Sequence, residues 1–378
     1  MEELKGYFDS INADSFNRNL CNEGFIGKSL ELDWELQKSP KPTVAIIGLT
    51  ETRNAFPQKY SVNLDAVRSY LYQLAGFNKL MMVDMGNLKM GETIKDTYAS
   101  LSFVTNYLLN QQIIPIYIGG TQDNTLPIFQ GIEQALGEAE LTLIDSRIDH
   151  VEDDFHAASY LGSLLKLGKK SILSSVIGYQ SYFVSNQQLR FLADQLVETV
   201  RLGAVRSNMN QIEPVFRDAD MVSFDVSAIR QPDCPATSFP GPNGFYNEEA
   251  CQLAYLAGLS DKMKVFALFE YQSEKDGSGQ SAHTIAQLIW HFISGITHRK
   301  GDFPVKDTSS YKKIFVKFDR IDTDLVFYQN SSNHRFWVEI PVGKTDEKRI
   351  IACSERDYLD ICNNEIPERI WINIQRYL

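Results

Sequence analysis

Four apolar runs of this sequence are each followed at once by acidic residues. These positions are Gly119-Gly-Thr-Gln-Asp123, Asp145 with Asp149, Asp225, and Glu270. One acidic residue at the end of a strand is ordinarily a helix cap, but the strand ends of a parallel α/β sheet share one edge, where ligands bind. Carboxylates packed together repel one another and require a cation or a proton. The pattern predicts a metal ion, an internal arginine or lysine, or a cationic ligand at this edge.

Alternating apolar runs and amphipathic stretches supply the elements that position these residues. The predicted strands are Val44–Leu49, Leu80–Val83, Ile113–Ile118, Leu141–Ile144, Ile172–Ile177, Met221–Phe224 and Val265–Phe269. Helical spacing is found over Thr93–Asn110, Asn124–Ala135 and Ser281–Ile296. Continuous apolar strands alternating with helices indicate a three-layer α/β/α fold with a mainly parallel sheet.

The pattern changes near residue 300, where predicted antiparallel strands replace the alternation. They are Lys313–Phe318, Asp324–Tyr328 and Arg335–Ile340, followed by helices at Glu355–Cys362 and Ile366–Tyr377. We therefore predict a lead-in over residues 1–40, a main domain over 41–300 and a small α+β extension over 301–378. The aromatic residues of the extension either cover the main domain or form a binding surface.

Composition excludes several classes of function. A net charge of -11 and the absence of Lys/Arg clusters argue against nucleic acid and an anionic membrane surface as partners. No apolar stretch reaches the roughly 18 residues that a membrane span requires. The five cysteines lack any CxxC spacing, which fits a reduced compartment, and we expect the cytoplasm.

At the acidic strand ends the chain resembles the arginase, agmatinase and formiminoglutamase family, also called ureohydrolases. The family signatures GGDHS, DAHxD and SFDxDxxDP correspond here to Gly119–Asp123, Asp145–Asp149 and Ser223–Pro232. The later acidic residue of the family corresponds to Glu270, and the matches keep their order over about 250 residues. The resemblance implies the arginase fold and a site for two manganese ions that activate a shared water.

The metal ligands implied by the resemblance are only partly retained. Gln122 stands in place of the first histidine, while Asp145, Asp149 and Asp225 are kept. These four residues form a vestigial site or one that holds a single ion. Arg147 replaces the second histidine and Ser227 replaces the last aspartate, so the neighbouring ion loses its own ligands. An arginine has no lone pair to donate to a metal.

Three residues are predicted to contact a ligand: Glu270, Arg147 and His156. The resemblance implies that Glu270 receives a cationic nitrogen of the substrate, and it places His156 in a substrate-contacting loop. We predict that Arg147 replaces an ion as internal counter-charge by pairing with Asp145 or Asp225. In that case Arg147 itself could be the group that Glu270 binds, and the aspartates could alternatively persist as loop caps.

Two functions follow from this mixed ligand set. The first is a pseudoenzyme that binds a guanidinium-like ligand or a protein partner with no resident cofactor. The second is an active C–N hydrolase of a guanidino or formimino compound that uses a single manganese or magnesium ion. An interaction module centred on the extension is a third possibility, and the resemblance leaves open whether the chain forms a homo-oligomer.

Overall fold

A computed structural model describes residues 2–11, 16, 21–32, 41–78, 80–150, 155–167, 171–304, 309–318, 324–343 and 347–377. Its strands are β1 Phe8–Asp9, β2 Val44–Leu49, β3 Met82–Leu88, β4 Ile114–Ile118, β5 Ala139–Ile144, β6 Ser171–Tyr179, β7 Glu198–Arg201, β8 Met221–Asp225, β9 Val265–Phe269, β10 Tyr311–Val316, β11 Leu325–Asn330, β12 Phe336–Pro341 and β13 Lys348–Cys353. Its helices are α1 Glu2–Lys5, α2 Ile26–Ser29, α3 Asp65–Tyr72, α4 Ile94–Asn110, α5 Thr125–Leu136, α6 Leu161–Leu164, α7 Asn186–Asp194, α8 Leu202–Ser207, α9 Glu213–Asp218, α10 Asn247–Leu259, α11 Gln280–Thr297, α12 Glu355–Cys362 and α13 Glu368–Tyr377.

Nine strands form the central sheet in the order β1-β3-β2-β4-β9-β8-β5-β6-β7. All neighbouring pairs are parallel except β1 with β3, which is antiparallel. This confirms the predicted α/β fold with a mainly parallel sheet. The short edge strands β1 and β7 were not predicted, and β3 begins later and runs longer than the predicted Leu80–Val83.

Helices cover both faces of this sheet because successive strand residues point to opposite sides. In β2, Val44 and Ile46 pack with the core beneath α3, α10 and α11, whereas Ala45, Ile47 and Leu49 pack with the core beneath α4 and α5. Capping residues determine where helices begin. At the start of α4, the side chain of Thr93 accepts a hydrogen bond from the backbone N–H of Asp96. The three-layer arrangement therefore follows directly from strand burial on both faces.

The extension forms a second sheet in the order β10-β11-β12-β13, with every neighbouring pair antiparallel. Strand β13 was not predicted. The face of this sheet that carries Phe327 and Val338 packs on α12 and α13, and Trp337 on the other face is 1% exposed. Phe315 on the edge strand β10 is 69% exposed. The predicted boundary at residue 40 lies in a stretch outside the described residues.

The extension docks on the amino ends of the parallel strands, at the opposite end of the sheet from the acidic cluster. Arg217 donates to the carbonyl oxygens of Phe336 (3.0 Å) and Cys353 (2.8 Å), and the backbone N–H of Ala352 donates to Asp218 (2.9 Å). Arg369 pairs with Glu198 (2.7 Å) and with Asp218. Buried ion pairs thus fix the extension to the starts of β7 and β8.

Within the described ranges, no helix is long and apolar enough to cross a membrane.

Replacing Arg369 tests this docking. The Arg369→Met variant leaves the carboxylates of Asp218 and Glu198 buried without their partner, and we expect the free energy of unfolding to fall by about 3–5 kcal/mol. Chemical denaturation measures the change. The matched control is Arg356→Met, because the side chain of Arg356 is 66% exposed and pairs with Asp360 on the surface, which is worth about 0.5 kcal/mol or less. Equal losses in the two variants would contradict the proposed role of the buried pair.

Candidate active site

The acidic residues meet because their strands are neighbours at the centre of the sheet. Strands β4, β9, β8 and β5 lie side by side in that order, and their carboxyl ends carry Gln122, Glu270, Asp225 and Asp145 respectively. Asp149 follows Asp145 in the same loop. The structure therefore brings together the predicted set at one edge, as expected for parallel strands.

A pair of glycines allows the chain to turn at the end of β4. Gly119 and Gly120 have φ angles of 86° and 76°, and a Cβ on Gly119 would lie 2.7 Å from the carbonyl oxygen of Leu49. Glu270 also has a positive φ, 67°, which is uncommon for a residue with a side chain. Its backbone N–H donates to the carbonyl oxygen of Gly120 (3.0 Å). These contacts hold the ends of β4 and β9 against each other.

The carboxylate of Glu270 is buried and accepts several hydrogen bonds. Its Oε1 accepts the backbone N–H of Gln122 (2.8 Å), and its Oε2 accepts the hydroxyls of Ser238 and of Tyr60 (3.4 Å). Burial, followed by the charge of nearby Asp225, raises the pKa of Glu270 well above its usual range. The side chain is thus fixed in place, and no cationic side chain of the described residues pairs with it.

The aspartates of the cluster also resist ionisation. Burial raises the pKa of Asp225 to about 6, although its Oδ1 accepts the backbone N–H of Ser227 (2.7 Å). Burial and the charge of Asp225 raise the pKa of Asp149 to about 8. Burial and the neighbouring charges of Asp149 and Asp225 raise the pKa of Asp145 well above its usual range. The site holds more negative charge than its own cations neutralise.

Arg147 does not form the predicted ion pair with Asp145 or Asp225. Its backbone N–H donates to Oδ1 of Asp145 (2.8 Å), but its guanidinium lies over the Phe183 ring at 4.0 Å and over the Phe239 ring at 4.9 Å. Its positive charge still lowers the pKa of each aspartate in the cluster. The prediction of a direct pair was wrong because loops after β6 and β8 supply aromatic surfaces that attract the guanidinium.

Gln122 is held by its amide nitrogen. Its Nε2 donates to the hydroxyl of Ser223 (3.0 Å), and the same hydroxyl lies 2.7 Å from Oγ1 of Thr125 at the start of α5. Its amide oxygen is buried and accepts no hydrogen bond from the described residues. The amide oxygen of Gln122 therefore remains available as a metal ligand or as a hydrogen-bond acceptor.

His156 lies in the loop that follows the aspartates, and it stacks on Phe56 with ring centroids 4.3 Å apart. Its Nδ1 accepts the backbone N–H of Ala158 (3.1 Å), which places the proton of the neutral ring on Nε2. The backbone N–H of Ala157 donates to the carbonyl oxygen of Asn54 (3.0 Å), joining this loop to the one after β2. Ligand contact by His156 remains a prediction.

Two further acidic residues lie at this edge: Asp123, which the sequence analysis placed at the acidic edge without a ligand role, and Glu51, which was not predicted. Asp123 is fully buried, accepts the amide of Asn54 (3.0 Å) and the hydroxyl of Tyr98, and has a pKa raised by burial. Glu51 is also buried, but Arg53 neutralises it. The available signal for Asp123 was its place in Gly119–Asp123, one position after Gln122.

The arginase family profile matches residues 56–295 of the chain, more than half of its length. The chain belongs to the arginase family. Among curated proteins no match is found.

Solved structures of other arginase-fold proteins show the same architecture. The formiminoglutamase of Trypanosoma cruzi, solved with manganese, is 20% identical, covers 70% of this chain and 96% of its own, and has a TM-score of 0.63. The formimidoylglutamase of Bacillus subtilis is 16% identical, covers 70% of this chain and 90% of its own, and has a TM-score of 0.63. The agmatine ureohydrolase of Thermoplasma volcanium is 17% identical, covers 75% of this chain and 97% of its own, and has a TM-score of 0.59. At these identities the likeness establishes the fold.

The residues at the strand ends do not fit a pair of manganese ions. Arg147 and Ser227 stand where the resemblance implies metal ligands, but Arg147 offers no lone pair and Ser227 offers a neutral hydroxyl. Within the part of the chain that the structure describes, no group of three or more His, Cys, Asp or Glu side chains is arranged to hold a metal.

The protonation of Asp149 generates a pH-dependent prediction. Its folded pKa of about 8 exceeds the ordinary 3.8, so the folded chain keeps a proton that the unfolded chain releases. The raised pKa of Asp149 therefore lowers the free energy of unfolding as the pH rises from about 4 to about 8. In Asp149→Asn we expect the Tm near pH 8 to rise by roughly 2–4 °C, because we expect the variant to recover about 1 kcal/mol, which corresponds to about 2–4 °C for large domains.

Thermal unfolding of the parent and variant at several pH values measures this effect. The two Tm values should approach each other as the pH falls to about 3, where Asp149 is largely protonated in both states. Asp194→Asn is the control, because Asp194 is exposed at the end of α7, and it should leave the pH profile unchanged. Parallel profiles for the parent and Asp149→Asn would contradict the assigned pKa.

Proposed function

We propose that this arginase-family chain binds a small planar cation of the guanidinium or amidinium type and does not hydrolyse it by two-metal chemistry. One observation carries the proposal. Among the described residues, no ion pair neutralises Asp123, Asp145, Asp149, Asp225 or Glu270. Buried carboxylates without a cation are costly, so a cationic ligand gains free energy by replacing the protons that they hold.

The hydrogen-bond pattern supports a planar cation with several N–H donors. Glu270 is anchored by Gln122, Ser238 and Tyr60, which keeps its oxygens fixed for charge-assisted hydrogen bonds. Asp225 is held through its contact with the backbone of Ser227. A guanidinium presents its donors in one plane, and this geometry matches carboxylates better than a compact ammonium does.

Loss of hydrolysis follows from what a two-metal reaction requires. Two ions lower the pKa of a bridging water and hold it over the substrate carbon. With Arg147 and Ser227 at ligand positions, the chain lacks donors for one of the two ions. The residues therefore support binding of a guanidinium or amidinium group, but they do not support its hydrolysis by two metals.

A second candidate function is a hydrolase that uses one manganese or magnesium ion. The unpartnered amide oxygen of Gln122 supports it, together with Asp145, Asp149 and Asp225. These are hard oxygen donors of the kind that such ions prefer. We propose a cytoplasmic location on the basis of the five free cysteines, because secreted proteins commonly pair them.

Calorimetric titration with butylguanidine tests the binding function. We expect saturable binding at one site per chain, and we expect Glu270→Gln to weaken it about tenfold or more because a fixed negative charge is lost. Glu274→Gln is the matched control, because Glu274 is exposed four residues away, and it should leave the affinity unchanged.

Product analysis separates the two candidate functions. The same protein is incubated with manganese or magnesium and with arginine, agmatine or formiminoglutamate, and release of urea, formamide or ammonia is measured. We expect no turnover. Turnover that depends on one bound ion would replace the proposed function by the second candidate, and failure of butylguanidine to bind would contradict the binding function itself.

A further inference from the structure

The sheet of the extension has two edge strands, β13 and β10, which differ in what covers them. The end of β13 is bonded to the central domain and to α13. The backbone N–H of Ala352 donates to Asp218 (2.9 Å), and its carbonyl oxygen accepts Nε of Arg369 (3.2 Å). Strand β10 pairs with β11 on one side. Among the described residues, no group bonds to the backbone of residues 312–316 from the other side.

Alternation along β10 identifies the backbone groups that point away from the sheet. The backbone N–H of Ser331 donates to the carbonyl oxygen of Ser310 (3.1 Å), so position 310 and every second residue after it bond toward β11. The intervening residues Lys313 and Phe315 therefore direct their N–H and C=O groups outward. These groups form a short ladder edge that can pair with another strand.

Phe315 is unusual at such an edge. Its side chain is 69% exposed, the highest value among the large hydrophobic side chains of the described residues. Its partner in β11, Val326, is 7% exposed. A sheet edge that only avoids association carries charges or a proline, whereas an exposed ring in its middle favours association. An added strand would cover this ring and remove apolar surface from water.

The charges of β10 indicate which kind of strand fits. Three exposed lysines flank the ring and form no ion pair with the described residues: Lys312, Lys313 and Lys317. The carboxylate of Glu339 on β12 already pairs with Lys348 (2.6 Å). The whole chain has a net charge of -11, so β10 is a basic edge on an acidic protein. Such an edge attracts an acidic partner.

We propose that the outer edge of β10 binds an acidic, extended segment of a partner protein, which adds a strand to the sheet of the extension. In antiparallel pairing, two apolar residues of the partner lie opposite Phe315 and Ile314, and two acidic residues follow opposite Lys313 and Lys312. A second copy of β10 is a poor occupant, because it would bring three more lysines to the same ladder. This surface belongs to the extension and is independent of the acidic edge of the central sheet.

Fluorescence anisotropy with labelled peptides tests the charge preference. The acidic probe carries two valines followed by two glutamates between serine ends, and the basic probe has two lysines in place of the glutamates. We expect the full chain to bind the acidic probe about tenfold or more tightly than the basic probe. Lys313→Glu should remove this preference. Lys95→Glu is the matched control, because Lys95 is exposed on α4 of the central domain, and it should leave the preference unchanged.

Two substitutions at position 315 test the backbone ladder. Phe315→Ala removes the ring but keeps the outward N–H, whereas Phe315→Pro removes both. Proline is tolerated at an edge position whose N–H makes no ladder bond. We expect Phe315→Pro to bind the acidic probe about fivefold more weakly than Phe315→Ala, because one hydrogen bond is lost. An acidic probe methylated on its backbone nitrogens should also bind the wild-type protein more weakly, and this comparison leaves the protein unaltered.

The outcomes separate strand addition from other kinds of contact. Preference for the acidic probe, with weaker binding after proline substitution and after methylation, supports the strand site. Equal binding of the acidic and basic probes, or failure of the acidic probe to bind, overturns the proposal. Equal binding of the methylated and unmethylated probes also overturns it, since the contact is then electrostatic alone. A wild-type dimer in sedimentation that Phe315→Pro dissociates would make a second copy the occupant and likewise overturn it.

Discussion

Buried carboxylates need a counter-charge, and this protein meets that need differently at the two ends of its sheet. At the amino ends, Asp218 and Glu198 pair with Arg369 of the extension, and Glu140 pairs with Lys262 and Arg349. At the carboxyl ends, a comparable group of acids is buried among hydroxyl and amide donors. Arg147 of the same loop as Asp145 lies over two aromatic rings and forms no ion pair with an acid among the described residues. The first end is a structural joint, and we propose that the second is a ligand site.

The proposed function requires that the arginase fold be stable without a metal. Strand burial and helix packing on both faces determine the sheet, and none of these contacts depends on a metal. The Gly119-Gly120 turn and the backbone bond from Gln122 to Glu270 hold the site edge together by hydrogen bonds. The geometry of the edge is thus held by contacts within the chain, as the proposed ligand binding requires.

The strands and helices of the central domain could be predicted because their sequences are continuous apolar runs and amphipathic stretches. Strands β2 and β9 have the predicted bounds, and α4 starts one residue after the predicted Thr93. Strand β13 was missed because charged Lys348 and Arg349 open it. The edge strands β1 and β7 were missed because two and four residues are too short for a periodic signal.

The sequence predicted that these residues meet at one edge of the sheet, but it did not predict their contacts. Arg147 was predicted to pair with an aspartate, yet Phe183 and Phe239 come from distant parts of the chain and determine where its guanidinium lies. Asp123 was part of the predicted acidic edge, but its contacts could not be predicted. Burial of Asp123 depends on Asn54 and Tyr98, whose approach is set by tertiary packing.

Anomalous diffraction at the manganese edge, from crystals grown with excess manganese, is the most direct measurement of whether this site still supports two-metal chemistry. We predict no pair of anomalous peaks between Asp145 and Asp225, and clear density for the Arg147 guanidinium against Phe183. Two peaks bridged by Asp145 and Asp225, with Arg147 displaced from the edge, would contradict the replacement of metal chemistry by ligand binding.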